Sequence, residues 1–439
     1  MNILSKLRTV AATLQPMIAP MVLLFVAPWW ALAAALTAFA AWMALTRAGR
    51  QAWSITRVGV ATIGHRLGSS SVIVVGIAGV VGVLVALLAM AAGFEATLKE
   101  TGTDDTAIVI RAGSQTENNS FVDHAAAQLI SQAPQVLKTP QGQPIVSPEL
   151  VVVASLPKRG NGLDANVEIR GVGERAWDLH QNVNIVAGRK FQPGLRELIA
   201  GKSAREQFKG LKVGSTLKLN GQLWNVVGIF DSGDSHNSEV WGDTPVVAAT
   251  YRRETGTTSI LVRLTDAGAF DAFKAGLASD PRLQVDVMTT RDYYNRQSEA
   301  LSRQIRILGT TVAAIMAIGA LFGALNTMYA AVAARAREIA TLRAIGFRGG
   351  PVIVSVLLET MLLALVGGAL GATLTWAIFD NYTASTLGQN FSQVVFSFNV
   401  SPLLLWSGLK WALAIGFIGG LFPALRAARM PVTAGLREV

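Results

Sequence analysis

Uncharged runs long enough to cross a bilayer set the first limit on what this chain can be. A membrane helix needs about 20 mostly apolar residues. Four segments meet that need: Ser71–Phe94 and Ile307–Ala334, with no charge, Val352–Phe379, with only Glu359, and Leu403–Ala424, with only Lys410. A fifth stretch, Met17–Leu45, is uncharged for 29 residues, with Pro28, Trp29 and Trp30 near its middle. It reads as one long tilted span or as a re-entrant hairpin of two short helices. Lys6 and Arg8 ahead of it favour a cytoplasmic N-terminus, and with it the hairpin. A cleaved signal peptide is not expected, because the run is too long and has no clear cleavage site.

Composition agrees with membrane spans. The 439 residues are 51% hydrophobic and 15% charged, whereas soluble domains carry about 25% charged residues. The net charge of +10 fits either nucleic-acid binding or arginine kept in cytoplasmic loops. Its placement decides. Thr46–Ser70 holds Arg47, Arg50, Arg57 and Arg66 and no acid; Arg335–Gly350 holds Arg335, Arg337, Arg343 and Arg348 against Glu338; the tail holds Arg426, Arg429 and Arg437. Asp380–Pro402 has neither Lys nor Arg. The positive-inside rule puts the first three on the cytoplasmic side and the last outside. The clear spans then alternate, Glu95–Arg306 lies outside, and no nucleic-acid partner is expected. With no cysteine, disulfides and thiolate metal sites are excluded.

Glu95–Arg306 reads as an α/β module. Thr106–Arg111, Ile145–Ala154, Val167–Gly171 and Leu217–Phe230 are rich in β-branched residues, and Asn220-Gly221 inside the last is a hairpin signal. Phe121–Gln132 and Ala267–Leu277 read as amphipathic helices. Ser232–Gly242 reads as a polar loop. Glu95–Thr103 and Tyr293–Gln304 read as helical stalks that continue the spans.

Little here announces chemistry. Ala200-Gly201-Lys202-Ser203 imitates part of a phosphate loop, but a glycine is required five residues before the Gly-Lys pair and the position is Arg196; a turn before a short helix is the expectation. His65, His124, His180 and His236 have no ligand spacing. His236 lies near Asp231, Asp234 and Glu239, a conceivable metal site, although a solvated loop is preferred. No catalytic, cofactor or metal residue is assigned. Glu359 sits inside a span, where a carboxylate is either functional or paired with a neighbouring helix; pairing is preferred. Small residues recur at Gly76, Gly79 and Gly82, at Gly319 with Gly323, and at Gly367 with Gly371, a spacing that lets helices approach closely.

The segment Ala333–Pro351 is the most informative. Ile339, Leu342, Ile345 and Gly346 share one helical face, with Arg337, Glu338 and Arg343 around it, and Gly349, Gly350 and Pro351 break the helix. Such a helix either lies in the headgroups or docks a cytoplasmic partner.

At this point the residues resemble the MacB/FtsX-like permeases of ABC transporters, which include the lipoprotein-releasing permeases. Ala336–Ala372, the ending Pro423–Val439, the amphipathic run Trp53–Gly68 before a Gly-rich span, and Gly188–Phe230 all look like that family. The resemblance covers about Gln51–Val439 and is specific only when these pieces are taken together. It implies an α-helical membrane protein with four core transmembrane helices, here with an extra N-terminal hydrophobic segment, and a large inserted α/β periplasmic domain. The expected layout is a hydrophobic segment (1–50), an amphipathic helix and first core span (51–94), the periplasmic domain with its stalks (95–306), and three core spans with a coupling helix at 335–347 (307–439). It further implies a bacterial inner-membrane location, a homodimer or a paralogous permease partner, and an ABC ATPase docking on Arg335–Phe347. A periplasmic adaptor and membrane lipids complete the expected partners. ATP and Mg would be bound by the ATPase, which is expected on a separate chain. The implied role is mechanotransmission: ATP-driven closure moves the outer domain to export or extract an amphiphile. The alternatives are a signalling scaffold that activates a cell-wall hydrolase, and a membrane-anchored enzyme with chemistry in the outer domain.

Overall fold

A computed structural model describes residues 24–388 and 392–433. Two compact units emerge: Met1–Ala89, Arg306–Asp380 and Val400–Val439 form one; Met90–Ile305 and Asn381–Asn399 form the other.

The first unit is built on helices α1 (Trp29–Leu45), α2 (Arg47–Ala61), α3 (Leu67–Lys99), α4 (Thr290–Ala334), α5 (Ala336–Ala344), α6 (Gly349–Phe379) and α7 (Pro402–Arg429); α3 and α4 contribute residues to both units. Ser70–Lys99 and all of α4, α6 and α7 are long and apolar enough to cross a membrane. The hairpin expected within Met17–Leu45 lies partly outside the described residues, which begin at Leu24. Within them, Pro28 precedes α1, and the chain then turns by 94° into α2. The Thr46 hydroxyl sets that corner by accepting from the Gly49 amide at 2.9 Å. Ala52, Ile55, Thr56 and Gly59 form the buried stripe of α2, which packs on α6.

Glycine spacing explains how α3, α6 and α7 pack. A Cβ on Gly367 or Gly371 would stand 2.7 or 2.4 Å from the Val74 or Ala78 carbonyl oxygen of α3. A Cβ on Gly416 or Gly420 would collide with Ala364 or Thr360 of α6. Only hydrogen fits at these crossings. Gly319, by contrast, has open space before it, and Gly323 barely touches Val72.

The second unit is organised by a mixed sheet. Its strands are β1 (Thr106–Arg111), β3 (Val146–Pro157), β4 (Asp164–Val172), β5 (Asn184–Gly188), β6 (Glu197–Gly201), β7 (Thr216–Leu219), β8 (Gln222–Asp231), β9 (Glu239–Asp243), β11 (Ser259–Arg263) and β12 (Val285–Thr289). The order is β12-β1-β11-β3-β4-β9-β6-β8-β5, with β7 on β8. Two small ladders are separate: β2 (Val122–Asp123) with β10 (Gly256–Thr257), and β13 (Thr383–Leu387) with β14 (Gln393–Ser397). Asn220 and Gly221 join β7 to β8 with φ of 42° and 84°, the left-handed pair a tight hairpin turn demands. One apolar core, including Leu150, Ile169, Leu198, Phe208 and Trp224, lies under the β3–β8 half; another, including Val109, Ile130, Val262 and Phe273, lies under β1, β11 and β12.

Several local expectations shift. The helix expected at Phe121–Gln132 starts at His124, because the Asp123 carboxylate caps it by accepting from the Ala126 amide, while Val122 and Asp123 pair as strand. The helix expected at Ala267–Leu277 runs Phe270–Ala278 after a short 3-10 turn. Ser232–Gly242 is not a loop throughout. Glu239–Asp243 is a wholly buried central strand, parallel to β4 and antiparallel to β6. Its polar letters misled because Glu239 finds its counter-charge indoors. Asp380–Pro402 is more than a connection: its hairpin belongs to the α/β unit. There Phe396 is buried and meets the Phe94 ring edge-on at 5.7 Å.

Candidate functional site

The first candidate is the short helix α5. Ala336, Ile339 and Ala340 are its buried residues, at the one-turn spacing that defines a face. That face turns inward. Arg337, Glu338, Thr341, Ile345 and Gly346 are exposed, and Leu342 and Arg343 half-buried. The expected apolar docking face of Ile339, Leu342 and Ile345 is therefore divided: Ile339 is 5% exposed and Ile345 70%. Gly346, at φ 102°, ends the helix.

Both ends of α5 are tied down. Arg335, between α4 and α5, donates through Nη1 to Oε2 of Glu359 in α6 at 3.0 Å, and through Nε to Oε2 of Glu338 at 3.3 Å. Glu359 is buried, so its charge is compensated within the protein. Gly59 of α2 covers the pair: a Cβ there would lie 2.9 Å from the Glu359 carboxylate and 3.2 Å from the Arg335 guanidinium. At the other end, the Arg343 guanidinium donates to the carbonyl of Met430, just past α7.

The second candidate, unannounced by the sequence, is a buried charge network in the α/β unit. Arg170 of β4 is almost fully enclosed. Its guanidinium meets Glu117 at 2.9 Å, Glu149 of β3 at 2.9 Å, Glu168 at 3.1 Å and Glu239 of β9 at 2.8 Å. Strand periodicity puts Glu168 and Arg170 on one face of β4, and the parallel register sets Glu168 beside Glu239. The Trp241 indole donates to Glu239 at 2.7 Å, His180 meets Glu149 at 3.1 Å, and the Ser392 hydroxyl donates to Glu168 at 3.0 Å. His236 meets Asp234 at 3.1 Å and lies 3.4 Å from the Tyr294 hydroxyl.

The electrostatics follow. Burial pushes the Glu149 carboxyl up, but His180 and Arg170 outweigh it and hold it at about 2. Burial likewise opposes the charged form of Asp234, yet His236, Ser232 and Asn182 hold it at about 2. Burial disfavours the His236 imidazolium, but Asp234 and Glu239 raise it to about 9. Glu149, Asp234 and His236 are thus ionised and internally paired at neutral pH. The cavity reaching Glu117, Glu168, Arg170 and Glu239 is about 30 Å³, room for about one water and not for a substrate. It is a structural hub joining three strands, Tyr294 of α4 and, through Ser392, the β13–β14 hairpin.

The remaining sequence candidates separate. Lys202 meets Asp231 at 3.1 Å, and Gly201 packs on the Asn237 backbone; the Gly-Lys-Ser segment leads from β6 into the helix Lys202–Gln207. Asp231, Asp234, His236 and Glu239 do not converge, and among the described residues no group of three or more His, Cys, Asp or Glu could hold a metal ion. The sequence reading passed over the hub; the signal that could have found it is a pair of charged residues alternating inside an apolar strand, Val167-Glu168-Ile169-Arg170.

Known proteins supply the frame. Residues 70–279 match the MacB-like periplasmic core domain, and residues 310–432 the FtsX-like permease C-terminal domain. The macrolide export ATP-binding/permease protein MacB of Photorhabdus laumondii is 28% identical over 388 residues, covering 83% of this chain and 57% of that protein. The MacB 1 protein of Aeromonas hydrophila is 25% identical over 319 residues, covering 67% and 46%. The chain thus spans about half the length of the curated relatives it matches. The crystal structure of the periplasmic region of MacB from Actinobacillus actinomycetemcomitans aligns with 15% identity and a TM-score of 0.34, covering 44% of this chain and 92% of that one. With its permease and periplasmic core domains both matched, this chain belongs to the MacB/FtsX-like family of ABC transporter permeases.

Proposed function

We propose that the chain is the membrane-spanning permease subunit of an ABC transporter and works by mechanotransmission. An ATPase on a separate chain binds ATP and Mg and docks on α5. Its closure displaces α5, and α3 and α4 carry the movement to the α/β unit, which lies on the far side of the membrane. The substrate is an amphiphile exported or extracted at that side, in keeping with the macrolide export named for the relatives.

The observation that carries this reading is the double anchorage of α5. A helix merely resting among headgroups needs no fixed geometry. Here Arg335 joins it to Glu359 of α6 under Gly59 of α2, and Arg343 joins it to the end of α7. A push on α5 therefore reaches three other helices. The exposed residues Arg337, Glu338, Thr341 and Ile345 form the docking face, with Ile345 as its apolar anchor. Such an anchor contributes about 2 kcal/mol or more, and rim charges contribute less.

Permease-stimulated ATP turnover by the co-purified ATPase tests the proposal. Ile345→Asp should abolish most of the stimulation, Arg337→Ala should reduce it slightly, and both should leave the permease as stable as before. Unimpaired stimulation in Ile345→Asp would remove α5 from the coupling path. The exposed apolar side chains of α4, including Ile315, Ile318 and Phe322, together with the open Gly319, suit a second permease copy. Native mass of the detergent-solubilised complex should show two copies; one copy per particle would contradict that arrangement.

A further inference from the structure

A groove of about 420 Å³ opens in the membrane unit beside the coupling helix. Tyr329, Ala333 and Ala336 line one wall, and Arg426, Arg429 and Met430 line the other. The first wall is the last turns of α4 and the start of α5; the second is the end of α7. Among the described residues, no acidic side chain lines it. Arg426 lies over the Tyr329 ring, 5.5 Å from its centroid. Arg426 and Arg429 are exposed, and neither pairs with a carboxylate among the described residues. The Arg343 guanidinium reaches the same place through the Met430 carbonyl.

Arginine at a helix C-terminus answers the helix dipole. That accounts for the position of Arg426 and Arg429 on α7. It does not account for a cavity with an apolar wall on another helix and uncompensated guanidinium groups along its edge. The helix ends concerned belong at the membrane–water boundary, where tyrosine is characteristically placed. A ligand that suits this lining carries a phosphate for two planar guanidinium forks and hydrocarbon for Tyr329, Val332 and Ala333. Basic pockets between membrane helices bind anionic headgroups on these terms.

We propose that the groove binds one anionic phospholipid, its phosphodiester held by Arg426 and Arg429 and an acyl chain lying along α4. The site goes beyond the permease reading and does not depend on an ATPase. The lipid lies against Ala336, which opens α5, and against Met430, whose carbonyl holds Arg343 near the other end of that helix.

The test is native mass spectrometry of the full chain released from nanodiscs of mixed phosphatidylglycerol and phosphatidylcholine, counting retained lipids. Wild type should retain phosphatidylglycerol over phosphatidylcholine by roughly tenfold or more, given about one favourable contact per arginine. Arg426→Gln with Arg429→Gln should bring the ratio close to parity. Ala333→Trp, which fills the groove from an exposed position and leaves both arginines, should do the same, while the paired change of both arginines to lysine should keep much of the preference. No preference in wild type, a measurement independent of any variant's folding, would overturn the proposal. So would an unchanged preference in the double glutamine variant, or full displacement of the lipid by inorganic phosphate, which would make the groove a general oxyanion site. Loss of the ATPase partner in the double glutamine variant with lipid preference intact would give these arginines to a protein contact and likewise overturn it.

Discussion

Removing Arg170 would strip the counter-charge from Glu117, Glu149, Glu168 and Glu239 together. Breaking a single buried ion pair costs about 3–5 kcal/mol, so Arg170→Met should lower the unfolding temperature of the α/β unit severely; a shift of only a degree or two would mean that water already shares these charges. The Asp234–His236 pair gives a pH signature. His236 is held at about 9 against an ordinary 6.5, so its contribution is complete below 6.5 and is lost as pH rises through 9. Asp234 is lowered from 3.8 to about 2, so its contribution is present above 3.8 and is lost as pH falls through 2. The pair therefore stabilises most between these limits. Thermal unfolding of wild type should fall off between pH 6.5 and 9, and His236→Gln should flatten that decline; equal slopes would contradict the assignment. In the sequence these residues looked like a solvated loop and scattered acids. They come from separate segments that only the sheet brings together, and spacing along a chain does not report such distances. Glu359 was more legible, because a lone carboxylate in a span must find a partner, and Arg335, just after α4, is within reach.

Among elements, the membrane helices were readable from their uncharged apolar runs and the strands from their β-branched residues, because both signals are local. The Asn220-Gly221 turn was readable for the same reason. The β13–β14 hairpin was not, since its place depends on packing against α3 and β4. Gly93 makes that dependence testable: a Cβ there would stand 2.0 Å from the Ser397 carbonyl oxygen. Gly93→Ala should undock the hairpin, seen as faster amide exchange across 381–399 with α3 still helical; unchanged exchange would show that the backbone yields at little cost. The helix α5 was legible as an element but not in its orientation. Amphipathic spacing identifies an apolar face without saying whether it meets the chain's own core or a partner. The inward turn of Ile339 predicts that Ile339→Asp lowers the stability of the permease itself by several kcal/mol, the cost of an unpaired buried charge, while Ile345→Asp does not.

For the whole molecule, the arginine asymmetry of the sequence predicts a cytoplasmic α5 and α7 end and an external α/β unit. The absence of native cysteine makes single-cysteine labelling unambiguous. Asn161→Cys, in the exposed β3–β4 turn, should react with an impermeant thiol reagent on intact spheroplasts, and Thr341→Cys only after lysis; the reverse pattern would invert the topology. The central claim is that α5 meets an ATPase through its outward face. A photo-crosslinking amino acid at position 345, compared with one at position 339, tests it most directly. The adduct from position 345, identified by peptide mass, should contain an ABC ATPase, and position 339 should yield only crosslinks within the permease. No ATPase adduct at position 345, or equal adducts from both positions, would contradict the account.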